Sequence, residues 1–250
     1  MRSASAGESY RFQRLALNLI LDDMTFRAAD PRPGDAVPAF DLPTIEGDRI
    51  RSADLAANGP MLVVFGSITC PVTDSAMPGL RELHARFGQR IRFVMVSVRE
   101  AHPGERIVQA QTDSHKRAHA VAMRALHRIP FAVAVDDLDG TLHRAFGPKP
   151  NSVYLLGADG TILFRAHWAN DIKAISEALD AALEGRTPPR RETGGTILAM
   201  VRMLPFVAPV LDRAGRRAWR DMWRVAPPLA ALAALLRLYQ SVSFTNRTSP

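Results

Sequence analysis

One stretch limits this chain's possible folds more than any other. Met61-Leu-Val-Val-Phe-Gly66 is an apolar run of strand length, and Ser67-Ile68-Thr69 connects it to Cys70 and Pro71. A run that is apolar on both faces predicts a parallel strand buried in a covered sheet. From Pro71 to Phe87 the spacing turns helical, with Met77, Leu80, His84 and Phe87 in phase. Proline suits the first helical position, where no N–H is needed. Cys70 is therefore expected at the mouth of a helix, exposed and ionised, because free N–H groups and the helix dipole favour a thiolate there. The competing reading is a lone cysteine used as a small buried hydrophobe. Cys70 is the only cysteine among 250 residues, so an intramolecular disulfide is excluded. A catalytic cycle through it requires an external thiol and no bound cofactor or metal. A single cysteine also fits a reducing, cytoplasmic compartment.

Around this corner the pattern alternates. The sequence predicts a helix from Tyr10 to Phe26, a Pro/Gly linker over Asp30–Asp35, and a short strand and turn before Met61. Strands follow over Ile91–Val98 and Phe131–Val135, separated by a helix over Asp113–Leu126. After a short helix near Thr141–Phe146, Ser152–Leu156 and Thr161–Arg165 flank Gly157-Ala-Asp-Gly160, a strong hairpin signal. A helix over Asp171–Leu183 closes the body. This order predicts an α/β fold, a thioredoxin-like three-layer sandwich with a mixed central sheet, an N-terminal helix and a helical basic C-terminal extension. The divisions are 1–32, 33–184 and 185–250.

The formal charge of +7 is unevenly placed. From Gly185 onward there are 11 arginines and 3 acidic residues, a balance of +8, so the cysteine-bearing body carries no footprint for nucleic acid. Within the extension, Thr196–Leu211 is apolar but interrupted by Pro205 and Pro209. Arg213–Arg224 is rich in arginine, with Trp219 and Trp223 four apart, and Leu229–Leu236 forms a short apolar helix. Amphipathic helices of this kind pack on the body or form a homodimer. The alternative is peripheral membrane contact through arginine and tryptophan at the headgroup level. No apolar run reaches the length of a spanning helix, and the apolar patch at Leu15–Leu21 lacks a cleavage pattern for secretion.

Three places together resemble the iodothyronine deiodinases. Phe65-Gly-Ser-Ile-Thr-Cys70-Pro is similar to that family's active-site motif, with Cys70 at the position of selenocysteine. Val98-Arg-Glu-Ala-His-Pro-Gly104 resembles the Glu-Ala-His-Pro loop after the next strand. Val135-Asp-Asp-Leu-Asp-Gly, Ala145-Phe-Gly and Tyr154-Leu-Leu continue the likeness, which covers about Pro33 to Leu183. The alkyl hydroperoxide reductase group is a looser resemblance. The resemblance implies a thioredoxin fold and a nucleophilic chalcogen, with Glu100 and His102 beside it as a proton relay. His119 stands as a second relay residue by loose analogy.

The chemistry agrees with that placement. Neighbouring parallel strands end at one sheet edge, where open α/β sheets bind ligands. An imidazole there can hold or deliver a proton near neutral pH, and Glu100 could orient it. The bland role for His102 is a polar residue in a turn before Pro103. Ser67 and Thr69 are candidate hydrogen-bond donors to sulfur or substrate, or else satisfy the backbone. Pro71, Thr73 and Asn151 are candidate substrate contacts.

Several positions depart from related patterns. Thr73 stands where a thioredoxin has its second cysteine. Of the proline and threonine that precede a peroxiredoxin cysteine, only a hydroxyl remains, with Val63 and Ser67 at those positions. Asn151 occupies the place of the cis-proline or arginine, leaving Lys149 and Arg144 as candidate substitutes. The histidine pair His115/His119 lacks a glutamate to complete a zinc motif. The expected function is thiol-dependent oxidoreduction of a small electrophilic substrate, by reductive dehalogenation or related thiol chemistry, with a thiol reductant as partner. The alternatives are a one-cysteine peroxidase and a non-catalytic thioredoxin-like binding module tethered by its basic tail.

Overall fold

The computed structural model describes residues 10–24, 26–188 and 196–245. Residues 1–9, where the sequence reads as small and polar, lie outside the described part. Five strands form the central sheet: β3 (Met61–Gly66), β4 (Arg92–Ser97), β5 (Ala132–Val135), β6 (Val153–Leu156) and β7 (Ile162–Ala166). Their order is β5-β4-β3-β6-β7, with β1 (Asp41–Pro43) and β2 (Arg49–Arg51) in a separate antiparallel hairpin. The β3/β4 and β4/β5 pairs are parallel, while β6 and β7 run antiparallel, so the sheet is mixed as expected. Every residue of β3 is buried, which the uninterrupted apolar run required.

The parallel strands step in one direction, and right-handed crossovers place their helices on the same face. There α3 (Pro71–Phe87), α4 (Asp113–His127) and α6 (Ile172–Leu183) close a core around Leu62, Val64, Met95, Val133 and Leu155. On the opposite face, Val63, Phe65, Val96 and Tyr154 pack beneath α2 (Leu55–Asn58) and α5 (Thr141–Ala145). The alternation along β3 sends successive side chains into the two cores. Gly66 pairs with Ser97 at the ends of β3 and β4, so the loops bearing Cys70 and His102 leave the sheet at one edge.

Three further helices cover that edge: α7 (Thr196–Ala214), α8 (Arg216–Val225) and α9 (Pro227–Thr245). Pro205 and Pro209 do not interrupt α7, contrary to the sequence expectation. Both prolines are exposed on the helix's outer face, where the carbonyls they leave unbonded can meet solvent. The N-terminal helix is also shorter than expected: α1 spans Leu17–Asp23, and Tyr10 and Leu15 are buried outside it.

The extension is locked onto the loop after β4. Arg106 N donates to Ala214 O at 3.0 Å, and the Glu105 carboxylate accepts from Arg216 N and Arg217 N at 2.6 and 2.7 Å. This caps the first turn of α8 with an anion from the body. A Cβ on Gly104 would lie 2.0 Å from Ala214 O, so this contact requires glycine. Arg213 donates to Ile68 O at 2.6 Å and to the two Asp74 oxygens at 3.1 and 2.6 Å. His127 Nε2 approaches the same carboxylate at 3.2 Å. Burial alone would raise the Asp74 pKa, but His127 and Arg213 together hold it below the usual carboxylate range. From the other end of the chain, Arg14 forks onto buried Asp221 of α8 at 2.8 and 2.5 Å.

Candidate active site

Cys70 is the N-cap of α3: its carbonyl accepts from Asp74 N at 3.1 Å, and Pro71 is the first helical residue. The backbone N–H groups of Val72 and Thr73 and the Thr73 hydroxyl face the sulfur. These groups favour a thiolate, as the sequence implied. The expectation of an exposed, ionised thiol is nonetheless wrong. Cys70 is 2% exposed, and burial, which those hydrogen bonds only partly offset, pushes its pKa up to about 11.

The reason lies in the appended segments. Met203 and Ala199 of α7 join Cys70, Val72, Ala101 and Trp168 in one apolar cluster. Met24, from just past α1, and Leu229 from α9 pack against it. Beneath this roof is a cavity of about 110 Å³ lined by Cys70, Pro71, His102, Asn151, Trp168 and Met200, among others. No arginine or lysine among the described residues lines it. Asp23, at its edge, has a carboxyl raised by burial to about 6 despite the nearby Arg99 and Lys149 charges. The volume is small beside the roughly 300–1,000 Å³ of drug-sized ligand sites, so a substrate of any size must displace the roof.

Two polar side chains in this cavity have buried atoms without a hydrogen-bond partner: His102 Nδ1 and Asn151 Oδ1. Burial lowers the His102 pKa to about 4, so its imidazole is neutral at pH 7. Asn151 Nδ2 lies 4.0 Å from the Cys70 sulfur. Buried orphan atoms cost stability unless something meets them. A polar group or water entering the cavity would satisfy both atoms.

Glu100 does not face His102. One carboxylate oxygen accepts from Thr69 N at 3.1 Å and Thr69 Oγ1 at 2.6 Å, and the other lies 3.0 Å from His119 Nδ1. Glu100 therefore stiffens the loop before Cys70 rather than orienting the His102 ring, and His119 is its partner. The backbone of Glu100 is held in turn by the Gln109 amide, which donates to its carbonyl at 2.7 Å. Thr69 Oγ1 also accepts from His102 N at 3.2 Å. Ser67 Oγ accepts from Ala101 N at 3.3 Å, and Ser67 N donates to Thr73 Oγ1 at 3.4 Å. Ser67 and Thr69 thus bind the two loops together, and only Thr73 presents its hydroxyl to sulfur.

Lys149 and Arg144 do not substitute for an arginine at the cavity. Lys149 Nζ donates to Asp22 O, and Arg144 is exposed elsewhere. His115 and His119 meet edge to face with ring centroids 4.4 Å apart, and no cluster of three metal-ligating side chains occurs among the described residues. His143 is buried between Tyr10 OH and Lys149 O at 2.7 and 2.8 Å. Nothing in the sequence alone marks Met24, Met200 and Met203 as lining residues. An inward stripe at Ala199, Met203 and Val207 was legible there, but not the surface it covers.

Comparison with known proteins agrees with this architecture. The AhpC/TSA family profile matches residues 33–165, more than half of the chain. The methylamine utilization protein MauD of Methylorubrum extorquens is 33% identical over 76 residues, 30% of this chain and 35% of that protein. The match thus spans about a third of that relative's length. An uncharacterized conserved protein from Geobacillus kaustophilus superposes with a TM-score of 0.52 at 20% identity, over 64% of this chain and 86% of that one. A hypothetical protein from Sinorhizobium meliloti gives 0.50 at 18% identity, over 63% and 87%. The two structures bear on the fold alone, which is thioredoxin-like. With its profile match extending from the linker before β1 through β7, the chain belongs to the AhpC/TSA family.

Proposed function

We propose that the protein is a single-cysteine thiol oxidoreductase in which Cys70 attacks a small, largely apolar electrophile and an external thiol restores it. The observation that carries this reading is the cavity itself. It brings together the sequence's single cysteine, a neutral imidazole whose Nδ1 lacks a partner, and the unpartnered Asn151 Oδ1, within methionine and tryptophan walls. A packing cysteine needs no such cavity.

Family membership supports redox chemistry at the sulfur, and the walls favour a soft, apolar reacting group. Reductive dehalogenation, which the deiodinase-like motifs imply, fits on both counts. Substrate entry displaces the roof and relieves the desolvation of both groups, so the Cys70 thiol gives up its proton to His102 as sulfur takes halogen from carbon, and the carbon keeps the bonding pair. His102 returns the proton to that carbon, leaving a C–H bond and a sulfenyl halide on Cys70. One external thiol displaces halide to form a mixed disulfide and releases a proton. A second thiol then frees Cys70 and leaves as the disulfide. Peroxide reduction is the second reading: sulfur takes one peroxide oxygen, an alcohol leaves, and two thiols reduce the sulfenic acid through water and a disulfide. It is less favoured because no guanidinium among the described residues lines the cavity to polarise an O–O bond.

The test is thiol-dependent turnover of an iodinated aromatic, read as iodide release, beside peroxide consumption by the same preparation. Iodide release that disappears in Cys70→Ser supports the first reading, and peroxide consumption alone supports the second. Turnover undiminished in Cys70→Ser rules out the single-cysteine mechanism, and turnover absent from both assays leaves a thioredoxin-like binding module.

A further inference from the structure

Exposed large hydrophobic side chains are concentrated on the appended helices. Apart from Val121 and Leu126, all of those among the described residues lie on α1, α7, α8 and α9. Along α7, Ile197 and Val201 stand in line with Pro205 and Pro209 on the exposed side. Along α9, Leu232, Leu235 and Tyr239 are exposed at helical spacing. Such a concentration on a few adjoining helices marks a contact surface.

Charge identifies what the surface contacts. On the helix that joins them, α8 exposes Arg216, Arg220 and Trp223 along one side, and neither guanidinium has a partner among the described residues. They belong to an extension with 11 arginines and 3 acidic residues. A second copy docked through a twofold axis would set this cationic face against itself. Apolar stripes rimmed by arginine and tryptophan instead match the lipid–water boundary of an anionic membrane. No helix among the described residues is long and apolar enough to cross a membrane, so contact lies in the plane of the surface.

We infer that the outer face of α7, α8 and α9 docks on an anionic phospholipid bilayer, and that the apolar substrate reaches Cys70 from that bilayer through the helical roof. The two faces of α7 make the connection. Ile197 and Val201 point outward, while Met200 and Met203 line the cysteine cavity from the same two turns. A helix drawn toward lipid by one face withdraws the other from Cys70. Docking stands on the surface alone, whereas the substrate route rests on the thiol-redox reading.

The experiment uses the full chain and vesicles of phosphatidylcholine with or without about a third phosphatidylglycerol. Binding is expected on the anionic vesicles and not on the neutral ones, falling as salt is raised. Two arginines at roughly fivefold each make R216Q/R220Q bind about 30-fold more weakly. Ile197→Ser with Val201→Ser, which leaves the charges intact, weakens it as well. The roof is read by alkylation of Cys70 with an apolar maleimide, expected to speed up when anionic vesicles are present. Equal partition of wild type and R216Q/R220Q, or chain dimerisation without vesicle binding, overturns the docking. Bound protein whose alkylation rate does not change overturns the route. Cosedimentation is measured on Cys70→Ser too, which cannot turn over, so failed docking and failed redox chemistry remain distinguishable.

Discussion

Replacing Arg213 by glutamine isolates what the roof does to the thiol. Arg213 holds α7 over the first turn of α3 through Ile68 O and both Asp74 oxygens. Its side chain is about one-fifth exposed and Asp74 is nearly sealed. Removing one partner of a fully buried pair costs about 3–5 kcal/mol, and the partial exposure here reduces this to about 2 kcal/mol. If that falls on roof opening, the open population rises about 30-fold. In the closed protein the Cys70 pKa stands at about 11 rather than 9.0, so neutral solution holds about a hundredfold less thiolate than an exposed cysteine would. Alkylation of the wild type should therefore be slow at pH 7 and climb until about pH 11, whereas the urea-unfolded chain levels off near its ordinary value. R213Q should react about 30-fold faster at pH 7 with circular dichroism unchanged. A wild-type profile that levels off near pH 9 would show that the sulfur is not desolvated. Equal rates in wild type and R213Q would show that α7 is not its cover.

Other consequences can be checked separately. Burial holds the His102 pKa at about 4 against 6.5, so the folded protein binds fewer protons than the unfolded one in between. Stability present above pH 6.5 is then lost as pH falls toward 4, by roughly 3 kcal/mol at most, and urea titrations of His102→Gln should lack that part of the slope. Glu100→Gln replaces a carboxylate accepting from Thr69 N and Thr69 Oγ1, and should lower stability by about 1–3 kcal/mol in denaturant melts. Its loss should also lower turnover by loosening the loop before Cys70; a variant as stable and active as wild type would refute that role. Gly104→Ala forces a methyl into Ala214 O, and about 1–3 kcal/mol of destabilisation is expected, with faster Cys70 alkylation. Unchanged alkylation there would mean that the α7–α8 junction can shift without opening the cavity.

How far the sequence could be read depended on how local each cause is. β3 is apolar throughout because it is central, and Pro71 begins α3 because its missing N–H costs nothing there, so both were legible from adjacent residues. The common edge for Cys70 and His102 followed from parallel pairing, and the Gly66/Ser97 register provides it. The partner of Glu100 was not legible as such. His119 comes from α4, and its ring reaches the carboxylate only through the packing of that helix beside the loop. The thiol's protonation state was misread for a related reason. The N–H groups of α3 are a local effect, whereas Met203 and Leu229 desolvate the sulfur from more than a hundred residues away. A stripe of apolar residues in a tail identifies a buried face without saying what it buries. Pro205 and Pro209 misled because proline opposes a helix interior on average, whereas here both fall on the side facing outward.

The Arg14–Asp221 fork closes the chain's two appended ends over a residue near its beginning. During synthesis Cys70 emerges about 130 residues before the stretch 199–203 of α7 that roofs it. Throughout that interval the nascent protein presents its only thiol without the shelter of the finished molecule. A chain oxidised or adducted at that sulfur before release would carry the extra atoms into the space Met203 must fill. Damage acquired on the ribosome would then be recorded as a tail that cannot seat.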